Sequence, residues 1–167
     1  MNLVLVGFMG SGKSEVGRRL AELLDMELVD TDDIVESRAG ASISRLFEQE
    51  GEPVFRALER EAVAEAAGTS ERIIACGGGA VLDPRNVDVL RSSGVVFYLE
   101  IGDEDAQRRT AGNESRPLLN VGDREGEIRR LLEERRPLYE SAAHHRIFVD
   151  GKSIEEVVQE VLDIWRR

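Results

Sequence analysis

An α/β fold built on a five-stranded, mostly parallel sheet flanked by helices is what this sequence predicts. Two patterns carry the prediction. Short apolar runs alternate with helical patterns along the whole 167-residue chain, which is the rhythm of strand, crossover helix, strand. The first apolar run also leads directly into a glycine-rich loop, Gly7-Phe8-Met9-Gly10-Ser11-Gly12-Lys13-Ser14, and then into a helix. With 41% hydrophobic and 33% charged residues the composition is that of an ordinary globular protein. The length suits one domain, residues 1–167, with a substantial core.

Asn2-Leu3-Val4-Leu5-Val6 reads as a buried parallel strand over 2–6, because such strands are near-continuous apolar runs. Behind the glycine loop, Val16, Leu20, Leu23 and Leu24 recur at helical spacing and predict a helix over 13–24. A strand over 27–30 follows, with Asp30 and Asp32 ending it, and then helices over 31–39, 43–50 and 53–67. Ile73-Ile74-Ala75-Cys76 marks a strand over 72–76, closed by Gly77-Gly78-Gly79. A helix over 84–91, a strand over 95–100 and a helix over 103–110 continue the alternation. Residues 111–123 contain glycine, proline and asparagine without a sustained period. A loop of that length in a compact domain is expected to be functional, here a mobile lid carrying Arg116, with a plain surface loop as the alternative. A helix over 124–135 and a strand over 146–149 precede the last helix, over 153–166. That helix has the cleanest stripe, Ile154, Val157, Val158, Val161, Leu162 and Trp165, with Ser153 as its expected N-cap.

The loop from Gly7 to Ser14 has the Gly-x4-Gly-Lys-Ser spacing of a phosphate-binding loop. Glycines let the backbone curl until successive N–H groups point into one concavity, and the helix N-terminus adds its positive dipole end. Lys13 is then set to reach the outer phosphates of a nucleoside triphosphate, and the Ser14 hydroxyl to ligate Mg²⁺ bridging them. A turn that merely capped a helix would need no Lys-Ser pair at this offset. Asp30 and Asp32, with alternation sending them to one side of the second strand, add two carboxylates beside the loop. The alternative is that both simply cap the next helix. Gly77-Gly78-Gly79 follows a strand at its C-terminal end, where ligands bind in open α/β sheets, and side-chain-free residues allow backbone N–H groups to approach a ligand closely.

The net charge of −11 argues against a nucleic-acid or anionic-membrane partner, both of which call for a basic face. No apolar run approaches the length of a membrane span, and no secretory signal is evident, so a cytoplasmic location is expected. The single cysteine, Cys76, rules out an internal disulfide and is expected to be a small buried residue. Nothing in the sequence presents an apolar stripe that demands a partner, so a monomer is expected.

With the phosphate loop, four further motifs make the chain resemble the shikimate kinases: Val29-Asp30-Thr31-Asp32, Gly51-Glu52-Pro53-Val54-Phe55-Arg56, Gly77-Gly78-Gly79-Ala80 and Arg135-Arg136-Pro137-Leu138-Tyr139. Gly112-Asn113-Glu114-Ser115-Arg116-Pro117-Leu118-Leu119 is also similar to the family's lid. The resemblance covers essentially the whole chain, in order. It implies a three-layer P-loop fold of the nucleoside-monophosphate-kinase type, a lid at about 108–123 and a substrate-binding region at about 31–60. It implies ATP as co-substrate, Mg²⁺, shikimate as acceptor and phosphorylation at its 3-hydroxyl, a step towards chorismate and the aromatic amino acids. Gly10, Ser11, Gly12, Lys13 and Ser14 would hold the nucleotide phosphates, and Asp30 would support the metal beside Ser14. Asp32 would bind the acceptor hydroxyls, as an orienter or as a base. Arg56 and Arg135 would clamp its carboxylate with planar guanidinium forks, and Gly77, Gly78 and Gly79 would line its pocket. Arg116 would reach the phosphates from the lid as an arginine finger within the same chain, while Arg109 and Lys152 would flank the adenine.

One departure from the family pattern bears on the nucleotide. Glu15 stands where relatives usually carry a threonine able to bond the α-phosphate, which implies a weaker or retuned nucleotide site. Cys76 in place of a small hydroxyl residue is a milder departure. Two other readings fit parts of the pattern: a kinase for another small hydroxy acid such as gluconate, and a nucleotide-sensing module that has lost catalysis. The second predicts an eroded acceptor site, whereas Asp32, Arg56, Gly78, Arg116 and Arg135 are all in place.

Overall fold

The computed structural model describes residues 1–110 and 122–167. Five strands, β1 (Asn2–Val6), β2 (Glu27–Asp30), β3 (Arg72–Ala75), β4 (Gly94–Glu100) and β5 (His145–Phe148), form one sheet in the order β2-β3-β1-β4-β5. Every pairing is parallel, so the expected "mostly parallel" sheet is parallel throughout. The central strand explains the continuous apolar run at the start of the chain. Leu3, Val4 and Leu5 are fully buried because β1 is paired on both edges and covered on both faces.

Helices α1 (Lys13–Leu24), α2 (Thr31–Ala39), α3 (Ile43–Glu50), α4 (Glu52–Ala67), α5 (Pro84–Ser93), α6 (Asp103–Thr110), α7 (Arg124–Ala142) and α8 (Ile154–Trp165) connect and flank these strands. Right-handed crossovers decide which face each one covers. The chain moves outward from β1 to β2 through α1, then back across the sheet through α4, α5 and α7. The reversal puts α1, with α8 packed beside it, on one face and α4, α5 and α7 on the other. It also leaves a switch point at the C-terminal end of β1, between β3 and β4, which is where an open α/β sheet binds ligands. The loops after β1, β2 and β3 all emerge along this edge.

Most element boundaries agree with expectation within a residue or two, and Ser153 forms a full capping box with Glu156 at the start of α8. Two expectations are corrected. The second strand stops at Asp30, and Asp32 lies in the first turn of α2, so strand alternation does not aim the two aspartates. The helix expected over 124–135 runs on to Ala142 with Pro137 inside it. A proline there removes one helical hydrogen bond at a cost of about 3 kcal/mol. Burial of Tyr139 and Ala142, 0% and 2% exposed, offsets it, since fully burying a large apolar side chain is worth roughly 1.5–3 kcal/mol.

The region expected to bind substrate, about 31–60, has a small core of its own. Val35, Leu46, Phe55 and Ala62 pack together beneath α2, α3 and α4, apart from the main core around the sheet. Phe47 and Phe55 meet at 4.9 Å within it. Of the expected lid, about 108–123, only the ends fall within the described residues: Arg108 pairs with Asp105 on α6, and Asp123 caps α7 by accepting from the Gly126 N–H at 3.1 Å. Arg116 lies outside the described residues.

Candidate active site

A cleft of about 570 Å³ opens along the C-terminal edge of the sheet, with the phosphate loop as its floor. Gly10 and Gly12 have φ of 85° and 91°, a left-handed conformation that costs an L-residue about 1–2 kcal/mol. Their glycines let the loop turn tightly enough for Gly12 to be the N-cap of α1 with no side chain in the way. Lys13 folds back over the loop, donating to the carbonyl oxygens of Gly7 at 2.7 Å and Phe8 at 2.9 Å and, more loosely, to Ser11 Oγ at 3.4 Å. The ammonium is thereby held at the mouth of the concavity. Ser11 is buried and acts inside the loop, not on the cleft wall.

Asp30 both caps a helix and faces the cleft. Its Oδ1 accepts from the Asp32 N–H at 2.9 Å at the start of α2, and its Oδ2 accepts from Ser14 Oγ at 3.1 Å. A hydroxyl and a carboxylate oxygen thus sit side by side at the loop's exit. The described residues contain no cluster of three or more His, Cys, Asp or Glu able to cage a metal. The two oxygens of Ser14 and Asp30 are the hard donors that Mg²⁺ takes from a protein when water and substrate phosphates complete its shell.

The loop after β3 closes the cleft from the other side. Thr31 Oγ1 accepts from the Gly77 N–H at 2.9 Å, tying this loop to the start of α2. Asp32 Oδ1 then lies so close to Gly77 that a Cβ there would come within 2.5 Å of it. Cys76 is buried beside the loop, and burial pushes its thiol far up, which makes it inert at neutral pH.

Arg56 and Arg135 do not line the cleft itself. They extend it beyond the triple glycine. A Cβ on Gly79 would overlap the Arg56 guanidinium, and one on Gly78 would sit 3.6 Å from Arg135 Nη1. Arg135 is only 2% exposed. Between the two arginines stands Glu59, also buried, which accepts from Arg56 Nη1 at 2.8 Å and whose Oε2 has no hydrogen-bond partner among the described residues. Burial pushes the Glu59 carboxyl up, against the pull of Arg56 and Arg135. Arg56 also pairs with the more exposed Glu52 at 3.3 Å, and the two guanidinium groups present planar donor forks suited to an anionic ligand. Sequence reasoning assigned no role to Glu59 or Thr31. The Arg56–Glu59 spacing of three on one helix was the available signal, and Thr31 stood inside a motif already singled out.

Arg109 and Lys152 also line the cleft, together with Ser153 and Ile154. Arg109 Nη1 donates to the Gly10 carbonyl at 3.3 Å, and Lys152 pairs with Glu160 at 2.6 Å. Glu15 is exposed on the first turn of α1 and also borders the cleft. The structure therefore brings Gly10, Gly12, Lys13, Ser14 and Glu15, with Arg109 and Lys152, around one opening that Asp32, Gly77 and Gly78 also line, with Arg56 and Arg135 beyond the triple glycine.

The chain is similar to known proteins over nearly its whole length. The family model described as shikimate kinase matches residues 9–166. A shikimate kinase of Symbiobacterium thermophilum is 47% identical over 165 residues, covering 98% of this chain and 95% of that protein. One from Caldanaerobacter subterraneus subsp. tengcongensis is 46% identical over 161 residues, covering 96% and 94%. Among solved structures, shikimate kinase from Acinetobacter baumannii in complex with shikimate superposes with a TM-score of 0.96 at 39% identity, covering 99% of this chain and 92% of that one. A gluconokinase from Sinorhizobium meliloti superposes with a TM-score of 0.60 at 16% identity, covering 97% and 89%, a likeness of fold alone.

Proposed function

The chain belongs to the shikimate kinase family, and we propose that it transfers the γ-phosphoryl group of ATP to the 3-hydroxyl of shikimate, giving shikimate 3-phosphate and ADP. One observation carries the reading. Two arginines far apart in sequence, Arg56 on α4 and Arg135 on α7, converge on Gly78 and Gly79 at the end of a phosphate-loop cleft, with the Asp32 carboxylate between them and the loop. Guanidinium forks for a carboxylate and a carboxylate for hydroxyls thus border one run of three glycines.

ATP would lie with its phosphates against the Gly10–Ser14 backbone. The Lys13 ammonium would exchange its loop carbonyls for phosphate oxygens. Ser14 and Asp30 would hold Mg²⁺, which when bound neutralises charge building on the phosphates. Arg56 and Arg135 take the acceptor carboxylate and so fix the ring. Asp32 holds the reacting hydroxyl through its proton. The hydroxyl oxygen forms its bond to the γ-phosphorus as the bond to the β–γ bridging oxygen breaks, and ADP leaves with that electron pair. The hydroxyl proton passes to Asp32 or to solvent. With a loose transition state, alignment contributes more than basicity, so Asp32 serves first as an orienter. Arg116 is assigned to the phosphates and Arg109 and Lys152 to the adenine on the family pattern.

The test is ADP release by the purified protein with ATP and Mg²⁺, with shikimate present, absent or replaced by gluconate. Release is expected only with shikimate. Gluconate-dependent release, or ATP binding without shikimate-dependent turnover, would overturn the assignment.

A further inference from the structure

Tyr139 closes the Arg-x-Pro-Leu-Tyr motif, and no step of the reaction uses it. Its ring is fully buried and stacked on Tyr98 of β4, with centroids 5.0 Å apart. Its hydroxyl donates to the carbonyl oxygen of Gly78. The Arg135 guanidinium, one helical turn earlier, lies near enough to the same phenol oxygen for its charge to act there.

The loop it touches has a particular weakness. The Gly77 and Gly79 carbonyls are taken by its own turns, accepting from Ala80 N–H at 3.0 Å and Leu82 N–H at 3.1 Å. The Gly78 carbonyl is left to Tyr139. On the donor side, the Gly77 N–H is held by Thr31. The Gly78 and Gly79 N–H groups have no acceptor among the described residues. In a trans peptide the carbonyl of one residue and the N–H of the next point in opposite directions. Holding the Gly78 oxygen therefore sets the direction of the Gly79 N–H. A peptide between two glycines is also the one least restrained by side chains against turning over.

We infer that the Tyr139 hydroxyl is a positioning group for the acceptor pocket. It pins the Gly78–Gly79 peptide and the Arg135 guanidinium to one another, so that backbone donor and carboxylate clamp face the acceptor in fixed relation. The inference rests on the shikimate reading and deepens it. Without the hydroxyl, the half-buried Gly78 carbonyl loses its partner, the peptide is free to turn, and Arg135 loses a neighbour that orients it.

Tyr139→Phe removes this one oxygen and keeps the ring and its stack. Tyr98→Phe is the matched control, because the Tyr98 hydroxyl is buried with no hydrogen-bond partner among the described residues. Steady-state kinetics of both variants and the parent protein are compared, with thermal melting alongside. The expected result for Tyr139→Phe is a KM for shikimate raised about tenfold, the upper size of one lost hydrogen bond, with the KM for ATP within about twofold. Tyr98→Phe is expected to change neither. An unchanged KM for shikimate in Tyr139→Phe overturns the inference, as does an equal rise in both variants, which would assign the effect to the stack. A parent protein that is inactive with shikimate defeats the functional reading itself, a result distinct from either.

Discussion

Replacing Gly79 by alanine separates the proposed acceptor clamp from the rest of the protein. Gly79 has φ of −102° and ψ of 7°, a conformation that alanine adopts without strain. The added methyl meets only the guanidinium end of Arg56 among its nearest neighbours, and it overlaps it. Arg56 is a long side chain, 22% exposed, with Glu52 and Glu59 as partners, so its tip can shift without disturbing the core. The fold should therefore survive with little change in melting temperature, while the guanidinium is pushed off its place in the pocket. A hydrogen bond to a charged group is worth about 1.5–3 kcal/mol, which converts to a KM for shikimate raised roughly 10- to 150-fold. The KM for ATP should stay within about twofold, since the phosphate loop is untouched. The assay is coupled ADP release at varied shikimate and varied ATP, with a thermal melt as the folding control. A normally folded Gly79→Ala protein with an unchanged KM for shikimate would refute the placement of Arg56 on the acceptor.

Two other outcomes are expected. Glu15→Thr removes a carboxylate from the mouth of the phosphate loop and should lower the KM for ATP about two- to fivefold, the scale of a single exposed charge; a rise in KM would show that Glu15 assists the nucleotide. His144 Nδ1 accepts from the Val96 N–H at 2.9 Å between β4 and β5, and burial, Arg91 and His145 hold its pKa below the usual 6.5. The unfolded chain then takes up a proton first as pH falls, so this stability is complete above 6.5 and is lost as pH drops through the folded value. Melting temperature should decline from about pH 7.5 to 5.5, and less steeply in His144→Asn, which keeps an acceptor that does not titrate; equal slopes would refute the assignment.

The phosphate loop was legible in the sequence because its chemistry is local. Gly10, Gly12, Lys13 and Ser14 act through backbone direction and fixed spacing, and a strand before and a helix after are enough to orient them. The strand–helix alternation was legible for a similar reason, since periodicity reports which faces are buried. Asp32 shows where local reasoning stopped. Its nearness to the phosphate loop was foreseen, but it arises from the first turn of α2, because Asp30 uses one carboxylate oxygen to cap that helix. Pro137 misled the reading of α7, since local propensity ends a helix there, while the packing of Tyr139 against Tyr98 carries it onward.

The proposed acceptor site belongs to the tertiary structure. Without the family motifs around them, Arg56 and Arg135 are two arginines in an arginine-rich chain. Only the sheet order, which sets β3 between β2 and β1 and brings α4 and α7 to the same face, gathers them at Gly78 and Gly79. The same gathering buries Glu59 between them and hands the Gly78 carbonyl to Tyr139. Burial is what gives these groups their force: a carboxylate or guanidinium removed from water must be matched by an opposite charge or a hydrogen bond. Which partner it finds is decided by long-range packing, and no spacing along the chain records it.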